Sequence, residues 1–298
     1  MYEIIVNNWK IIVDEEEKKI LINYSDRGRF FTILYSLFLT SICISFVLFP
    51  LMPATLHKLK ILSSHQPLIF IMNGEFIADR ESHYWKIYLF DCMTCLTVLA
   101  IYTPIDGMYR VCVEQCFALY SIITHRLLKP YAILKDQTTL ADEVSYKRIL
   151  QIIKLHKRTL RFNKSLQESY SACFLMILLA NVVEIPVGCN LLLMTAGSDS
   201  INCFRYSTIV ATMFAHLLWV CWPGQKLIDH SSRLSFDAYS SEWYRFAKRS
   251  RTLLRIFMLR CTEPVCITAG GLVDINMANY ASTVRKALSY TAAVSSFQ

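Results

Sequence analysis

Five long runs of apolar residues, separated by stretches rich in charge, set the layout of this 298-residue chain. Residues 30–52 are almost unbroken Phe, Leu, Ile and Val with scattered Ser and Thr. As one helix they are long enough to cross the roughly 30 Å hydrocarbon core of a bilayer, and Pro50 and Pro53 mark the exit. A second run, 85–107, carries Asp91 and ends near Pro104. The third, 169–194, is interrupted by Glu184 and Pro186, and the fourth covers 205–222. The fifth, 274–298, is the most polar, with Arg285 and Lys286 well inside it.

The intervening stretches read differently. Residues 1–29 form a water-exposed segment with an acidic run at 14–17, and 53–84 an ordered loop with short elements. Over 108–168 the second run is expected to continue as an amphipathic helix through Arg110 and Glu114. A charged helix follows, with Lys154, Lys157, Arg158, Arg161 and Lys164 three or four apart. A short loop fills 195–204. In 223–273 the helical pattern of 242–260 is too rich in Arg and Lys to sit in lipid.

Composition fits that layout. Hydrophobic residues make up 54% and charged residues 18% of the chain. The mean hydropathy of +0.35 lies outside the range of water-soluble domains, so the expected class is an all-α integral membrane protein. A net charge of +8 would suit nucleic acid, but its distribution points to membrane loops instead. Residues 1–29, 125–168 and 223–273 hold 23 Lys and Arg, against four in 53–84 and 195–206. By the positive-inside rule the first set is cytoplasmic, the loops 53–84 and 195–204 are extracellular, and the C-terminus is extracellular.

Chemistry-bearing residues are sparse. There is no paired carboxylate, no nucleophile with a base and no Gly-rich phosphate loop, so the chain reads as neither an enzyme nor a cofactor or metal protein. Cys92-x-x-Cys95 has the spacing of a metal or redox pair, yet with no second pair nearby it reads as two small packing residues. Cys189 and Cys203, flanking a short loop, are the one pair considered for a disulfide. Charged groups in a span need partners. Glu184 is read as hydrogen-bonded to a neighbouring helix, and at least one of Arg285 and Lys286 as facing water or protein.

The last quarter of the chain carries a series of motifs in order. These are Pro223-Gly224-Gln225, Tyr239-x-x-x-Trp243, the basic and apolar run 249–260, Pro264, Ala269-Gly270-Gly271, and Ser289-Tyr290-x(5)-Ser296-Phe297. The series resembles the insect odorant receptor family, and the ending fits that branch better than the Thr-Tyr-x(5)-Gln-Phe of insect gustatory receptors. The resemblance implies a helical bundle of the odorant/gustatory receptor type. Such a bundle has seven spans and five are counted here, so the chain looks truncated at its N-terminus.

It further implies an odorant-binding subunit of a ligand-gated, nonselective cation channel, working in the plasma membrane of olfactory sensory neurons. The partners implied are a small volatile or lipophilic odorant, membrane lipid, and the odorant receptor co-receptor in a heterotetramer. By this resemblance the ligand pocket draws on Ile42, Ser45, Phe49, Tyr88, Cys92, Tyr206, Ile209 and Met213. The pore-lining run 274–298 places Ala293, Ser296 and Phe297 at the gate. The alternatives are a gustatory-type receptor and a truncated, non-functional receptor fragment.

Overall fold

In the computed structural model, residues 1–51, 70 and 71, 82–129, 138–197 and 199–296 are described. Seven α-helices carry nearly all of them: α1 (Tyr2–Ile11), α2 (Glu15–Leu48), α3 (Tyr84–Leu128), α4 (Thr138–Thr195), α5 (Ser200–Tyr239), α6 (Lys248–Cys261) and α7 (Met277–Ser295). The start of α2 is set by Asp14, whose carboxylate accepts the Glu16 N–H at 3.1 Å, and three glutamates fill the first turn where the helix dipole favours them. The Glu16 N–H, aided by Lys129, holds the Asp14 carboxyl below its usual range. Asp199 caps α5 in the same way, accepting from Ile201 N and Asn202 N.

Four helices, within Glu15–Leu51, Tyr84–Leu128, Asp142–Thr195 and Ser200–Tyr239, are long and apolar enough to cross a membrane. Their surfaces carry the opposite polarity to a water-soluble protein. Ile33, Leu37, Leu48, Leu89, Phe90, Met93, Val183 and Met176 are exposed, whereas Asp91, Asp106 and Arg110 are buried. Lipid tolerates the first set and makes the second costly unless it is turned inward. The molecule is an all-α integral membrane bundle.

Several expectations about the helices change. The charged stretch after 138 and the third run form one uninterrupted helix, α4, of 58 residues with Pro186 inside it. The polar stretch 225–239, beyond the fourth apolar run, is helical too: α5 continues through Pro223 to Tyr239. Pro223 removes one donor, which a packed membrane helix accommodates. The helix expected at 242–260 begins only at Lys248, because Trp243–Arg245 form a 3-10 turn and Phe246 is extended. The second half of α3 is not amphipathic either. Cys112, Val113, Cys116, Phe117, Ala118, Leu119, Ile122 and Ile123 are all buried, so the helix is enclosed on every side.

The chain forms two compact units, a large one of Met1–Asp26 with Cys112–Gln298 and a small one of Arg27–Val111. In the large unit, Glu17 at the start of α2 takes a bidentate ion pair from Arg126 near the end of α3 (2.7 and 2.6 Å). Arg148 of α4 caps the same end of α3 by donating to the carbonyls of Arg126 and Lys129. Between α6 and α7 lies a hairpin of two short strands, β1 (Thr268–Ala269) and β2 (Val273–Asp274), with Ala269 opposite Val273. Gly270 and Gly271 turn it with φ of 59° and 71°, a left-handed backbone that glycine adopts without strain. The Gln167 side chain of α4 clamps β1 from both sides. It donates to Thr268 O at 2.9 Å and accepts the Thr268 N–H at 2.7 Å.

Candidate functional site

In the small unit, α2 and α3 run antiparallel along a ladder of contacts. A Cβ on Gly107 would lie 2.9 Å from Thr32 Cγ2, so glycine lets the helices close there. One turn along α2, Tyr35 donates to the buried Asp106 carboxylate at 2.6 Å. Further out Tyr88 Oη donates to Val47 O at 2.9 Å. As the residue number rises on one helix it falls on the other, which is the register of a continuous helix pair. Arg110 closes the inner end with its guanidinium 4.1 Å above the Phe31 ring.

The five ligand candidates of this unit sit at the outer end of the ladder. Ile42, Phe49, Tyr88 and Cys92 are half-buried, and Ser45 is exposed. The Ser45 hydroxyl donates to Ile42 O at 2.7 Å, within its own helix. Tyr88 stacks on Tyr84 with ring centroids 6.1 Å apart, and its hydroxyl is also bonded to the Cys92 thiol. The structure thus brings Tyr88 and Cys92 together with the α2 backbone. In the large unit, Tyr206, Ile209 and Met213 are half-buried and share one face of α5. Val210, beside them, is buried where Gly188 of α4 leaves room: a Cβ there would meet Val210 Cγ2 at 2.9 Å.

Of the charged residues in the apolar runs, Asp91 is buried and engaged. Glu184 is not hydrogen-bonded to a neighbouring helix as expected. It lies on an exposed face with Val182, Val183 and Val187, and among the described residues nothing pairs with it. Pro186, two residues on, is buried, so the helix turns the opposite side inward. Arg285 and Lys286 are both exposed on α7, whose buried positions here are Ala287 and Thr291. Ala293 and Ser296 are exposed at its end, with Ser296 Oγ donating to Ala293 O at 2.7 Å. Phe297 lies outside the described residues. The Cys189–Cys203 bridge is not formed. Both thiols are free, and that of Cys189 is bonded to Thr291 of α7.

The part of the large unit around α6 holds features the sequence did not reveal. His156 of α4 is buried against Phe257 of α6, edge-on with ring centroids 5.0 Å apart, and near Tyr120 of α3. Burial, with the Arg260 cation adding to it, pushes the imidazole down to about 4, so it is neutral at physiological pH. Asn163 donates to Tyr120 Oη at 2.7 Å, and Asp237 accepts from Thr124 at 2.7 Å. A small cleft of about 10 Å³ is lined by Arg126, Arg148, Ile152, Phe246 and Leu254 among others. That is room for about one water, not for an odorant. Tyr239 and Trp243 of the Tyr-x-x-x-Trp motif meet at the corner after α5, with rings 6.3 Å apart.

The chain resembles several known proteins. It is 28% identical over 151 residues to odorant receptor 33a of Drosophila melanogaster, covering 50% of this chain and 37% of that one. Odorant receptor 10a of the same species is 21% identical over 217 residues, 71% of this chain and 52% of the relative. The odorant receptor coreceptor of Aedes aegypti is 22% identical over 140 residues, 46% and 29%. The chain therefore spans about half or less of the length of these relatives. In fold it is similar to the insect olfactory receptor OR5 from Machilis hrabei in complex with eugenol. The TM-score is 0.74 at 14% identity, over 94% of this chain and 70% of that one. A second structure of OR5 from Machilis hrabei gives a TM-score of 0.69 at 16% identity, over 93% of this chain and 69% of that one. The sequence model of the 7tm odorant receptor family matches residues 7–288, nearly the whole length, and the chain belongs to that family.

Proposed function

We propose that this chain is an odorant-binding subunit of a ligand-gated, nonselective cation channel that forms with the odorant receptor co-receptor as a heterotetramer. Family membership over residues 7–288 is the observation that carries this reading. Similarity to a co-receptor and to a receptor solved with eugenol supports the choice of partner and of ligand class. The site of action is the plasma membrane of olfactory sensory neurons, with residues 1–29 in the cytoplasm and the C-terminus outside, as the Lys and Arg distribution supports.

In this reading α7 is the fifth span and lines the pore. Arg285 and Lys286, exposed on the protomer, face a wet vestibule, and Ala293, Ser296 and Phe297 form this subunit's part of the gate. The ligand is small and apolar. The residues proposed for ligand contact are Ile42, Ser45, Phe49, Tyr88 and Cys92 in the small unit; in the large unit, taken by itself, they are Tyr206, Ile209 and Met213 on α5. Tyr88 and Ser45 are the groups able to fix the ligand's orientation, and the rest supply apolar wall. An odorant opens the channel by binding the open arrangement of the helices more tightly than the closed one, with no nucleotide or chemical step.

Co-expression with a co-receptor tests this. Odorant-evoked current, normalised to surface protein, is expected with both chains present and from neither alone at the same odorants. A chain that reaches the surface beside the co-receptor yet adds no response across a broad panel of volatile apolar compounds would contradict the reading.

A further inference from the structure

The outward face of α4 is apolar from Ala172 to Met194, with Met176, Leu179, Val183 and Val187 exposed on it and one exception, Glu184. At 1.5 Å per residue Glu184 stands roughly 15–18 Å from either end of that stretch, near mid-bilayer, where a carboxylate reaches no headgroup and lipid offers it no partner. Among the described residues it forms no ion pair or hydrogen bond. Arg285 of α7 is exposed and unpaired in the same sense, although α7 packs on both α4 and α5. Two close approaches fix the relative heights of these helices. Gly188 of α4 lies against Val210 of α5, and Gly224 of α5 against Ile275 at the foot of α7. Val210 and Gly224 are fourteen residues apart, and fourteen residues down α4 from Gly188 is Phe174, so Ile275 is level with Phe174. The hairpin agrees, since Gly270 abuts Leu175 and donates its N–H to Ser171 O at 3.0 Å. Ten residues further up, α4 reaches Glu184 and α7 reaches Arg285. The two charges stand at one depth, within about a helical turn.

We propose that Glu184 of one copy of this chain pairs with Arg285 of the next, in a head-to-tail contact of α4 against α7 between adjacent copies. Copies related by an axis along the membrane normal keep every residue at its own depth, so an ion pair across such a contact needs its two members level, as these are. Each copy offers the anion on one side and the cation on the other, and the contact repeats from copy to copy; a tetramer with two adjacent copies contains it once. Charges that lipid would make costly neutralise each other, and the planar guanidinium can engage both carboxylate oxygens. Lys286 is left to the lumen: it stands seven residues, about two turns, before Ala293 and shares its face, whereas Arg285 is about 100° round the helix, at the edge of that vestibule. The pairing requires α4 and α7 in the bilayer and does not depend on which ligand opens the channel.

The test expresses the whole chain alone in cell membranes, as two copies bearing different tags, solubilises them in a mild detergent and recovers them through one tag. Wild-type copies are expected to bring the second tag with them. Recovery of that tag, normalised to total protein, should fall several-fold in Glu184→Gln, which keeps the size of the side chain and removes only its charge. Glu184→Arg and Arg285→Glu should each fall likewise, and the two changes combined in one chain should restore recovery towards wild type, which general damage to the fold would not do. Wild-type copies that do not co-purify overturn the proposal, as do wild-type copies that associate only once a co-receptor is added. Unchanged recovery in Glu184→Gln also overturns it, since the carboxyl then faces lipid uncharged, and so does a combined exchange no better than either reversal. Because the first reading is on the wild-type chain and the readout uses neither odorant nor current, failure here is distinct from failure of the channel reading.

Discussion

Gly224 of α5 lies directly beneath the carbonyl of Ile275, so close that a Cβ on it would sit 2.0 Å from Ile275 O and 3.0 Å from its carbonyl carbon. The neighbour is backbone at the point where the chain leaves the hairpin for α7, and it cannot move aside as a side chain could. The Met277 N–H reaches Gln225 Oε1 at 3.4 Å beside it. The Pro223-Gly224-Gln225 run is thus the seat of the final helix. Gly224→Ala is expected to destabilise the protein by at least the ~1–3 kcal/mol typical of overpacking, read as a lower melting temperature in detergent and less surface protein. At Gly271 a Cβ meets nothing within 4 Å, and only the φ of 71° opposes a side chain. Gly271→Ala should therefore cost about 1 kcal/mol. Equal losses at the two positions would argue against the seat.

Arg126 and Glu17 tie the ends of α2 and α3, and the Glu17 side chain is only 6% exposed. Arg126→Ala leaves that carboxylate buried without its partner, at a cost of about 3–5 kcal/mol. Arg126→Lys keeps the charge but loses the two-point geometry and should fall between the two. Thermal unfolding of the three proteins in one detergent checks the order.

How much of this was legible in the sequence depends on which physics governs each residue. Runs of apolar residues long enough for a bilayer announce themselves, and the ordered motifs of the last quarter led to the family. What stayed hidden are contacts between distant segments. The register that brings Tyr35 to Asp106 has no local signature. α3 looked amphipathic because Arg110 and Glu114 are charged, yet both are buried inside the bundle. The hairpin was readable in principle, since Gly270-Gly271 before Val273 is a turn signal, but two-residue strands are too short to alternate.

α6 shows the same limit, and with it a sharper prediction. The helical pattern of 242–260 marks an apolar face that includes Leu253, Leu254 and Phe257 and is expected to pack against neighbouring helices or subunits. In the structure Ser250, Leu254, Phe257 and Cys261 are buried within the protomer, while Ile256 and Leu259 are 60% and 72% exposed. Leu254→Asp is thus expected to abolish folding, with loss of total membrane protein. If α6 meets the co-receptor, Ile256→Asp and Leu259→Asp should leave the chain folded and reduce co-purification. Undiminished co-purification in that pair of variants would remove α6 from the interface.

The buried His156 predicts a pH dependence. Its folded-state pKa of about 4 lies below the ordinary 6.5, so the fold binds the proton less tightly than the unfolded chain does. Its contribution is complete above pH 6.5 and is lost as pH falls from there towards 4, by about 3 kcal/mol if the ring stays buried. His156→Phe keeps an edge-on ring contact with Phe257 without a titrating group and should flatten that part of the stability–pH curve. Melting temperatures of both proteins from pH 7.5 to 4 decide it; parallel curves would show that His156 is not the source.

The claim that α7 lines a cation pore is tested most directly by the reversal potential of the odorant-evoked current, measured with calcium on one side and sodium on the other. The chain is co-expressed with a co-receptor, either as wild type or as Ala293→Lys, and surface protein is matched. Ala293 is exposed near the end of α7, so a lysine there adds a cation to the proposed pore lining without disturbing buried packing. The account predicts a shift towards lower calcium permeability relative to sodium in Ala293→Lys. An unchanged reversal potential, with unchanged current and equal surface protein, would contradict it.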